Sequence, residues 1–277
     1  MSVNRTRVGE VDCGAPELFL IAGPCVIEDE PLMMRTAEAL QGIAGRLGVP
    51  LIFKSSFMKD NRSSVEFYSG PGLDEGLAVL GKVKSELGLA LLTDVHYPEQ
   101  VGPVAEVVDV VQIPAFLAMQ TSLVTAAART GRAVNLKHAQ FLAPENMSMP
   151  VRKIEAAGSR EILVTERGYT FGYNDLVVDP RSFHLLGELG YPVIFDLTHS
   201  IRRYGIPSRD PAGGARQFLP VLARAAVAAG VDGLFMEVHP EPASALCDAA
   251  SQFPLDELEE FLKPLLELHA VVSRTRR

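Results

Sequence analysis

Four side chains that can ligate a metal ion lie where apolar runs of the sequence end. They are Cys25, His199 and Glu237, each close to the end of a different run, and Asp248 in the loop beyond the third. In a barrel of alternating strands and helices the strand ends converge on one face, so distant side chains can meet around one divalent ion. Sulfur, nitrogen and oxygen donors together favour Zn²⁺, Fe²⁺ or another first-row ion over Mg²⁺. Taken singly, a Cys or His is more often structural, and the prediction depends on the four together.

Basic side chains cluster after three of the predicted strands. Lys54, Lys59 and Arg62 follow the second strand, among hydroxyl and amide side chains. Lys137 and Arg167 follow the fifth and sixth strands. Cations combined with hydroxyl donors bind phosphate or carboxylate groups. The sequence therefore predicts a site for anionic ligands on the same face as the metal ligands.

Each of these features has a plainer alternative. The loop after the second strand is also typical of a solvated basic loop. Lys137 and Arg167 are also compatible with salt bridges, for example between Arg167 and Glu166. Asp94, at the end of the third strand, is suited to binding a sugar hydroxyl or to proton transfer. Its alternative is a helix N-cap or a turn residue, since Asp is among the preferred caps.

Short apolar runs alternate with longer amphipathic stretches along the whole chain. We predict strands at 18–23, 50–54, 90–94, 109–113, 133–137, 161–165, 192–196 and 233–237. We predict helices at 31–47, 74–87, 98–107, 120–130, 146–157, 180–189, 215–229 and 256–273. Strands of Val, Ile, Leu and Phe with little polar alternation are typical of a parallel sheet buried on both faces. Eight such units predict an α/β protein, a single (β/α)8 TIM barrel over residues 1–277, with a doubly wound open sheet as the alternative. The segment 8–14 suggests a short hairpin at the bottom of the barrel.

Composition narrows the class of protein. The chain has 277 residues, of which 47% are hydrophobic and 22% charged, an ordinary globular composition. A net charge of −8 argues against a nucleic-acid binder. Three cysteines give no disulfide framework, which suits a reducing, cytoplasmic location. We find neither a membrane-spanning apolar run nor a signal-peptide apolar region in the sequence, and we expect a protein of the cytoplasm.

A series of motifs resembles one enzyme family, the 3-deoxy-D-manno-octulosonate 8-phosphate synthases, in its metal-dependent branch. The motifs occur in order between about residues 18 and 270: Ile21-Ala-Gly-Pro-Cys25, Lys59-Asp-Asn-Arg-Ser-Ser64, Gln112-Ile-Pro-Ala-Phe116, Thr165-Glu-Arg-Gly168, Phe195-Asp-Leu-Thr-His-Ser200 and Phe235-Met-Glu-Val-His-Pro-Glu-Pro242. The resemblance implies condensation of phosphoenolpyruvate with arabinose 5-phosphate and release of inorganic phosphate. Cysteine after Gly-Pro and the segment from Asp248 to Leu255 resemble the metal-dependent branch.

The resemblance also implies roles for individual residues. The implied metal ligands are Cys25, His199, Glu237 and Asp248, for Zn²⁺, Fe²⁺, Mn²⁺ or Co²⁺. The implied catalytic residues are Lys59, Asp94, Lys137 and His199. The implied substrate-binding residues are Lys54, Ser56, Asn61, Arg62, Ser63, Gln112, Ala115, Phe116 and Arg167. Of these, Lys59, Lys137, Arg167, Gln112 and Ala115 would hold phosphoenolpyruvate, and Lys54, Asn61, Arg62, Ser63 and Asp94 would face the aldose phosphate. The family further implies a homotetramer and a pathway to lipopolysaccharide or a related Kdo-containing glycan.

One departure from the family bears on the acceptor. Met119 occupies a position where the family usually has an arginine that helps to bind the aldose phosphate, and a thioether gives no charge-assisted hydrogen bond. The segment Ile201–Tyr204 is more basic than usual, so we expect Arg202 or Arg203 to supply the missing cation. Two alternatives stay open: a sibling synthase with a different acceptor, such as erythrose 4-phosphate, and a non-catalytic sugar-phosphate sensor.

Overall fold

The computed structural model describes residues 3–170 and 175–275, and most of its strands form one closed barrel. In chain order the strands are β1 (Thr6–Val8), β2 (Val11–Cys13), β3 (Phe19–Gly23), β4 (Leu51–Lys54), β5 (Ala90–Asp94), β6 (Val110–Ile113), β7 (Ala133–Lys137), β8 (Ile162–Glu166), β9 (Tyr169–Thr170), β10 (Leu176–Val177), β11 (Val193–Asp196), β12 (Gly233–His239) and β13 (Phe253–Pro254). Strands β3 to β8, β11 and β12 are parallel, and β12 pairs with both β11 and β3. That double pairing closes the sheet, so the prediction of a (β/α)8 barrel is confirmed and the open sheet is wrong.

Helices follow the barrel strands and cover the outside of the sheet. They are α1 (Glu30–Leu47), α2 (Leu73–Leu87), α3 (Pro98–Val107), α4 (Thr121–Ala128), α5 (Ser148–Ala156), α6 (Arg181–Gly187), α7 (Leu197–Ser200), α8 (Leu219–Ala229) and α9 (Leu258–Thr275). The first of them begins after Asp29, whose side chain accepts a hydrogen bond from the backbone N–H of Leu32, and ends before Gly48 in the left-handed conformation. Among the described residues, no helix is both long and apolar enough to cross a membrane.

The barrel has a second core inside its strands, and the predicted N-terminal hairpin closes it from below. Side chains from the barrel strands, including Phe19 and Phe235, pack in the interior with Val8, Val11 and Cys13 of the hairpin. Thr6 in β1 also donates a hydrogen bond from its hydroxyl to the carbonyl of Ile162. The hairpin therefore replaces solvent at the bottom of the barrel, and the functional loops occupy the opposite end.

The differences from the predicted elements lie in the connections. The helix predicted at 215–229 begins at Leu219, because the preceding residues form short 3₁₀ turns. The helix predicted at 146–157 is likewise preceded by a 3₁₀ turn at Pro144–Met147. The short pair β9–β10, strand β13 and the four-residue helix α7 were not predicted. Segments this short carry no periodicity, so the hydrophobic pattern gives no signal for them.

Candidate active site

Three of the predicted metal ligands converge at the carboxyl ends of β11 and β12. The Nε2 atom of His199 lies 3.6 Å from Oε2 of Glu237 and 3.8 Å from Oδ2 of Asp248. One donor atom from each residue lies within 4.8 Å of the other two. Glu237 is fully buried, and its Oε2 has no hydrogen-bond partner among the described residues. A buried carboxylate oxygen without a donor is costly, so this atom fits a metal ligand.

The fourth predicted ligand, Cys25, belongs to a second, overlapping group of donors. Its thiol, that of Cys247 and the carboxylate of Asp248 lie within 4.8 Å of one another. The two sulfur atoms are 3.0 Å apart. The four predicted ligands are therefore brought to one place as two triples that share Asp248. The sequence prediction missed Cys247, although its position next to Asp248 was an available signal.

Local structure fixes the direction of the His199 ring. Asp196 ends β11 and begins α7, where its Oδ1 accepts a hydrogen bond from the backbone N–H of His199. The other carboxylate oxygen of Asp196 lies 2.7 Å from Nδ1 of His199. A carboxylate on one ring nitrogen fixes the tautomer and turns the other nitrogen toward the remaining donors, as in many metal sites. The short helix α7 thus positions His199.

Close packing of β3 against β4 explains the glycine of Gly-Pro-Cys. A Cβ atom at Gly23 would lie 1.9 Å from the backbone carbonyl oxygen of Lys54. This approach lets the chain turn from β3 into Pro24 and Cys25 directly beside the start of the basic loop. The backbone N–H of Ser56 donates to the carbonyl of Cys25, which ties the two loops together.

The buried lysines of the site are each paired with a carboxylate. The ammonium of Lys54 donates to Oε1 of Glu237 at 2.7 Å, and both side chains are nearly inaccessible. Lys59 lies 3.5 Å from Asp94 and 3.9 Å from Glu237. Burial acts to raise the pKa of Asp94, but the Lys59 ammonium, together with His96, Ser56 and Lys54, outweighs burial and lowers the pKa to about 2. Asp94 is thus an ionised partner of a lysine, and the cap of α3 is Tyr97, so its N-cap alternative is not observed.

The ammonium group of Lys137 is held by a carboxylate and an aromatic ring. It contacts the carboxylate of Asp196 and lies 3.2 Å from the centre of the Phe235 ring. Burial lowers the pKa of Lys137 to about 8, although Asp196 opposes that shift. The Asp196 carboxylate therefore orients two functional side chains at once, Lys137 and His199.

Above these pairs a cavity of about 220 Å³ opens at the carboxyl ends of the strands. The predicted site residues that line it are Lys59, Asn61, Arg62, Ser63, Phe116, Arg167, His199, Arg202 and Asp248. The other predicted site residues do not line it and are all buried: Cys25, Lys54, Ser56, Asp94, Gln112, Ala115, Lys137 and Glu237. A larger cleft of about 1220 Å³, lined by residues between Gln140 and Leu185, contains none of the predicted site residues.

The arginines of the cavity differ from the lysines in their partners. Arg167 donates from Nη2 to the hydroxyl of Tyr204 at 2.8 Å, and no contact of its guanidinium with Glu166 occurs among the described residues. The buried Nε–H groups of Arg62 and Arg167 have no hydrogen-bond acceptor in the described part of the chain. Two buried guanidinium donors without acceptors fit a binding site for an anion. The sequence prediction missed Tyr204.

The two candidate replacements for the missing family arginine point in different directions. Arg202 lines the cavity and donates from Nη1 to the carbonyl of Gly213 at 3.1 Å. Arg203 lies 3.6 Å from Asp175 and does not line the cavity. Met119 is half-buried, and its backbone carbonyl accepts a hydrogen bond from Lys153. Of the two candidates, Arg202 is the one that reaches the site.

Comparisons with known proteins agree with the motifs. The model of the DAHP synthetase I family matches residues 5–274. The chain belongs to this family. It is 54% identical over 266 residues to the 2-dehydro-3-deoxyphosphooctonate aldolase of Trichlorobacter lovleyi, covering 96% of this chain and 97% of the relative. A protein of the same name in Geobacter sp. strain M21 is 52% identical over 274 residues, covering 99% of this chain and 98% of the relative. Another, in Acidithiobacillus ferrooxidans strain ATCC 23270, is 53% identical over 255 residues, covering 92% of this chain and 90% of the relative. The resemblance to the octulosonate-phosphate synthases is confirmed.

Proposed function

We propose that this protein is a transferase that condenses phosphoenolpyruvate with arabinose 5-phosphate and water, forming 3-deoxy-D-manno-octulosonate 8-phosphate and inorganic phosphate. The observation that carries the proposal is the cavity itself. The guanidinium groups of Arg62 and Arg167 line the same cavity as His199 and Asp248, and each has a buried Nε–H without an acceptor among the described residues. Such a cavity suits two anionic substrates beside a divalent ion, and the named relatives support the choice of reaction.

Phosphoenolpyruvate would bind at the inner end of the cavity. Arg167 and Lys59 line the cavity, and Lys137 is buried at the end of β7; we propose that these three side chains define that end. Gln112 lies in strand β6 and Ala115 follows that strand, and the two would complete the contacts. The Arg167 guanidinium suits a bidentate contact with a carboxylate or phosphate group, and the two ammonium groups add charge to the same ligand.

The aldose phosphate would bind at the outer end. Asn61, Arg62 and Ser63 come from the loop after β4, and Phe116 and Arg202 also line the cavity. The proposed phosphate contacts are Arg62, Ser63 and Arg202. Lys54 differs from its predicted role, since it is bonded to Glu237 beneath the cavity. We propose that it holds that carboxylate in its ionised form instead of touching the phosphate.

The proposed chemistry joins the enol carbon of phosphoenolpyruvate to the aldehyde carbon of the sugar. Water adds to the adjacent carbon, and loss of phosphate from that carbon leaves the 2-keto acid. A metal ion held by Cys25, His199, Glu237 and Asp248 would polarise the aldehyde or activate the water. Lys59, between Asp94 and Glu237, would hold the developing negative charge on the phosphate. We propose Zn²⁺, Fe²⁺, Mn²⁺ or Co²⁺ as the ion.

The first test is phosphate release from phosphoenolpyruvate with a panel of aldoses. The panel holds arabinose 5-phosphate, ribose 5-phosphate, erythrose 4-phosphate and free arabinose, each with chelator and with added metal. We expect release with arabinose 5-phosphate, lost with chelator and restored by metal. Release with another aldose alone would favour the sibling synthase, and no release with any aldose would favour the sensor and refute the proposal.

A matched pair of variants tests the acceptor end. Arg202→Ala removes a charge-assisted contact worth roughly 1.5–3 kcal/mol, so KM for arabinose 5-phosphate should rise at least about tenfold. Arg203→Ala, one residue along the chain but directed at Asp175, should leave that KM unchanged. KM for phosphoenolpyruvate is the internal control for both. Equal effects of the two variants would contradict the role of Arg202.

The family also supports inferences about the protein's setting. We infer a homotetramer, a location in the cytoplasm and a place in the synthesis of lipopolysaccharide or a related Kdo-containing glycan. We further propose that residues 1–277 act as one catalytic domain without nucleic-acid or membrane partners. Size-exclusion chromatography with light scattering tests the oligomer directly.

A further inference from the structure

A second cysteine lies inside the proposed metal site. The sulfur of Cys247 is 3.0 Å from that of Cys25, and both side chains are buried. Cys247, Cys25 and Asp248 offer donor atoms within 4.8 Å of one another, and Asp248 belongs also to the triple with His199 and Glu237. The five donors therefore form one continuous group.

The chain holds the two cysteines together with a dedicated contact. The amide side chain of Gln252, fully buried, accepts a hydrogen bond from the backbone N–H of Cys25 through Oε1 at 3.2 Å. The same amide donates from Nε2 to the backbone carbonyl of Cys247 at 2.8 Å. One side chain thus bridges two cysteines that are 222 positions apart. Asp248, the residue after Cys247, has a φ of 48°, a left-handed conformation that is uncommon for a residue other than glycine.

A guanidinium group also lies beside Cys247. Nη1 of Arg62 lies 2.7 Å from the Cys247 sulfur. Two thiolates and the carboxylates of Glu237 and Asp248 would carry four negative charges. A divalent ion together with Lys54 and Arg62, which contact these groups, carries four positive charges. The balance allows the second sulfur to bind as a thiolate in a buried site.

We infer that Cys247 is a second thiolate ligand of the metal ion, beside Cys25. The inference rests on the metal site of the proposed function and deepens it. Two sulfur donors make the site softer, so it should select Zn²⁺ or Co²⁺ over Mn²⁺ more strongly than a site with one sulfur. The residue that sets the choice of metal is thus Cys247.

The absorption spectrum of the Co²⁺-loaded protein reports how many thiolates bind the metal ion. In protein loaded with Co²⁺, each bound thiolate adds near-ultraviolet charge-transfer absorption. We expect Cys247→Ser and Cys25→Ser each to lose about half of that intensity. Cys13→Ser is the matched control, because Cys13 is buried at the opposite end of the barrel, and it should keep the full band. A full band in Cys247→Ser, or no band in the unaltered protein, would overturn the inference.

A second measurement does not depend on any variant. X-ray absorption at the zinc edge of the unaltered protein should give two sulfur atoms at about 2.3 Å from the metal, the usual Zn–S distance. One sulfur atom would refute the inference. Competition between Zn²⁺ and Mn²⁺ gives the dissociation constant for Mn²⁺ divided by that for Zn²⁺. This ratio should fall at least tenfold in Cys247→Ser, and an unchanged ratio would count against the inference.

The two proposals fail in different ways. If the aldose panel releases phosphate and the cobalt spectrum shows one thiolate, the proposed reaction stands and the role of Cys247 is wrong. If two thiolates bind the metal and no aldose releases phosphate, the metal site stands and the proposed reaction is wrong. Both results come from phosphate release by the unaltered protein and from the cobalt spectra, so no activity of a metal-loaded variant has to be measured.

Discussion

The buried pair of Lys54 and Glu237 gives the sharpest prediction for stability. The Nζ–Oε1 distance is 2.7 Å, and the two side chains are 2% and 1% exposed. Lys54→Met keeps most of the side-chain volume and removes the charge. Glu237 is then left buried, and Lys59, at 3.9 Å, is the lysine that remains beside it. Breaking a buried ion pair from one side costs about 3–5 kcal/mol, because the remaining charge is uncompensated.

The assay is urea unfolding in the presence of a chelator, with a matched surface pair as control. Lys84 and Asp109 have the same N–O distance of 2.7 Å, but their side chains are 37% and 15% exposed. Lys84→Met should therefore cost less than about 1 kcal/mol. With a slope of roughly 1–3 kcal/mol per molar urea, Lys54→Met should lower the unfolding midpoint by more than about 1 M. The control should shift it several-fold less.

Added metal provides a second arm of the same experiment. Oε2 of Glu237, the oxygen without a hydrogen-bond partner in the described structure, is the one that faces His199. A divalent ion there supplies positive charge that the variant lacks, so Zn²⁺ should stabilise Lys54→Met more than the unaltered protein. If Lys54→Met lowers the free energy of unfolding in chelator no more than Lys84→Met does, the buried Glu237 carboxylate is not stabilised by Lys54. That result would refute the reasoning.

Three further predictions concern the walls of the site. Gly23→Ala should destabilise the protein by roughly 1–3 kcal/mol and weaken metal binding, because the new Cβ meets the Lys54 carbonyl; equal metal affinity by titration calorimetry would contradict this. Affinity for phosphoenolpyruvate should fall as pH rises through about 8, since Lys137 with its lowered pKa loses its charge there; a flat KM from pH 7 to 9 would show otherwise. Tyr204→Phe should raise KM for phosphoenolpyruvate about 3- to 10-fold through loss of one hydrogen bond to Arg167, with little change in kcat, and an unchanged KM would exclude this positioning role.

The barrel strands were predictable almost to the residue. The runs predicted at 90–94 and 133–137 coincide with β5 and β7, and the other barrel strands begin within one residue of their predicted starts. Most of their residues are buried, so the strand sequences are mostly apolar, with little polar alternation. The helices next to long loops were less predictable, because 3₁₀ turns and α-helical turns share the same residue preferences.

The composition of the site was predictable from the topology, but its pairings were not. Knowing that strand ends meet predicts that Cys25, His199 and Glu237 come close. The bond of Lys54 to Glu237 depends on β3 separating β4 from β12 by one strand, at a register that no local pattern fixes. Cys247 and Tyr204 lie in loops without periodicity, and their side chains find their partners through the tertiary fold.

The pairings divide the cations of the site into two groups with different roles. The buried lysines each have a carboxylate partner from another strand end, so their charges are compensated without a substrate. The arginines that line the cavity keep donors free: Arg62 and Arg167 have buried Nε–H groups without acceptors in the described chain, and Arg202 contacts a backbone carbonyl. Replacing Lys54 should therefore first lower stability, whereas replacing Arg167 should first raise KM, since the substrate would supply the acceptor that its Nε–H lacks.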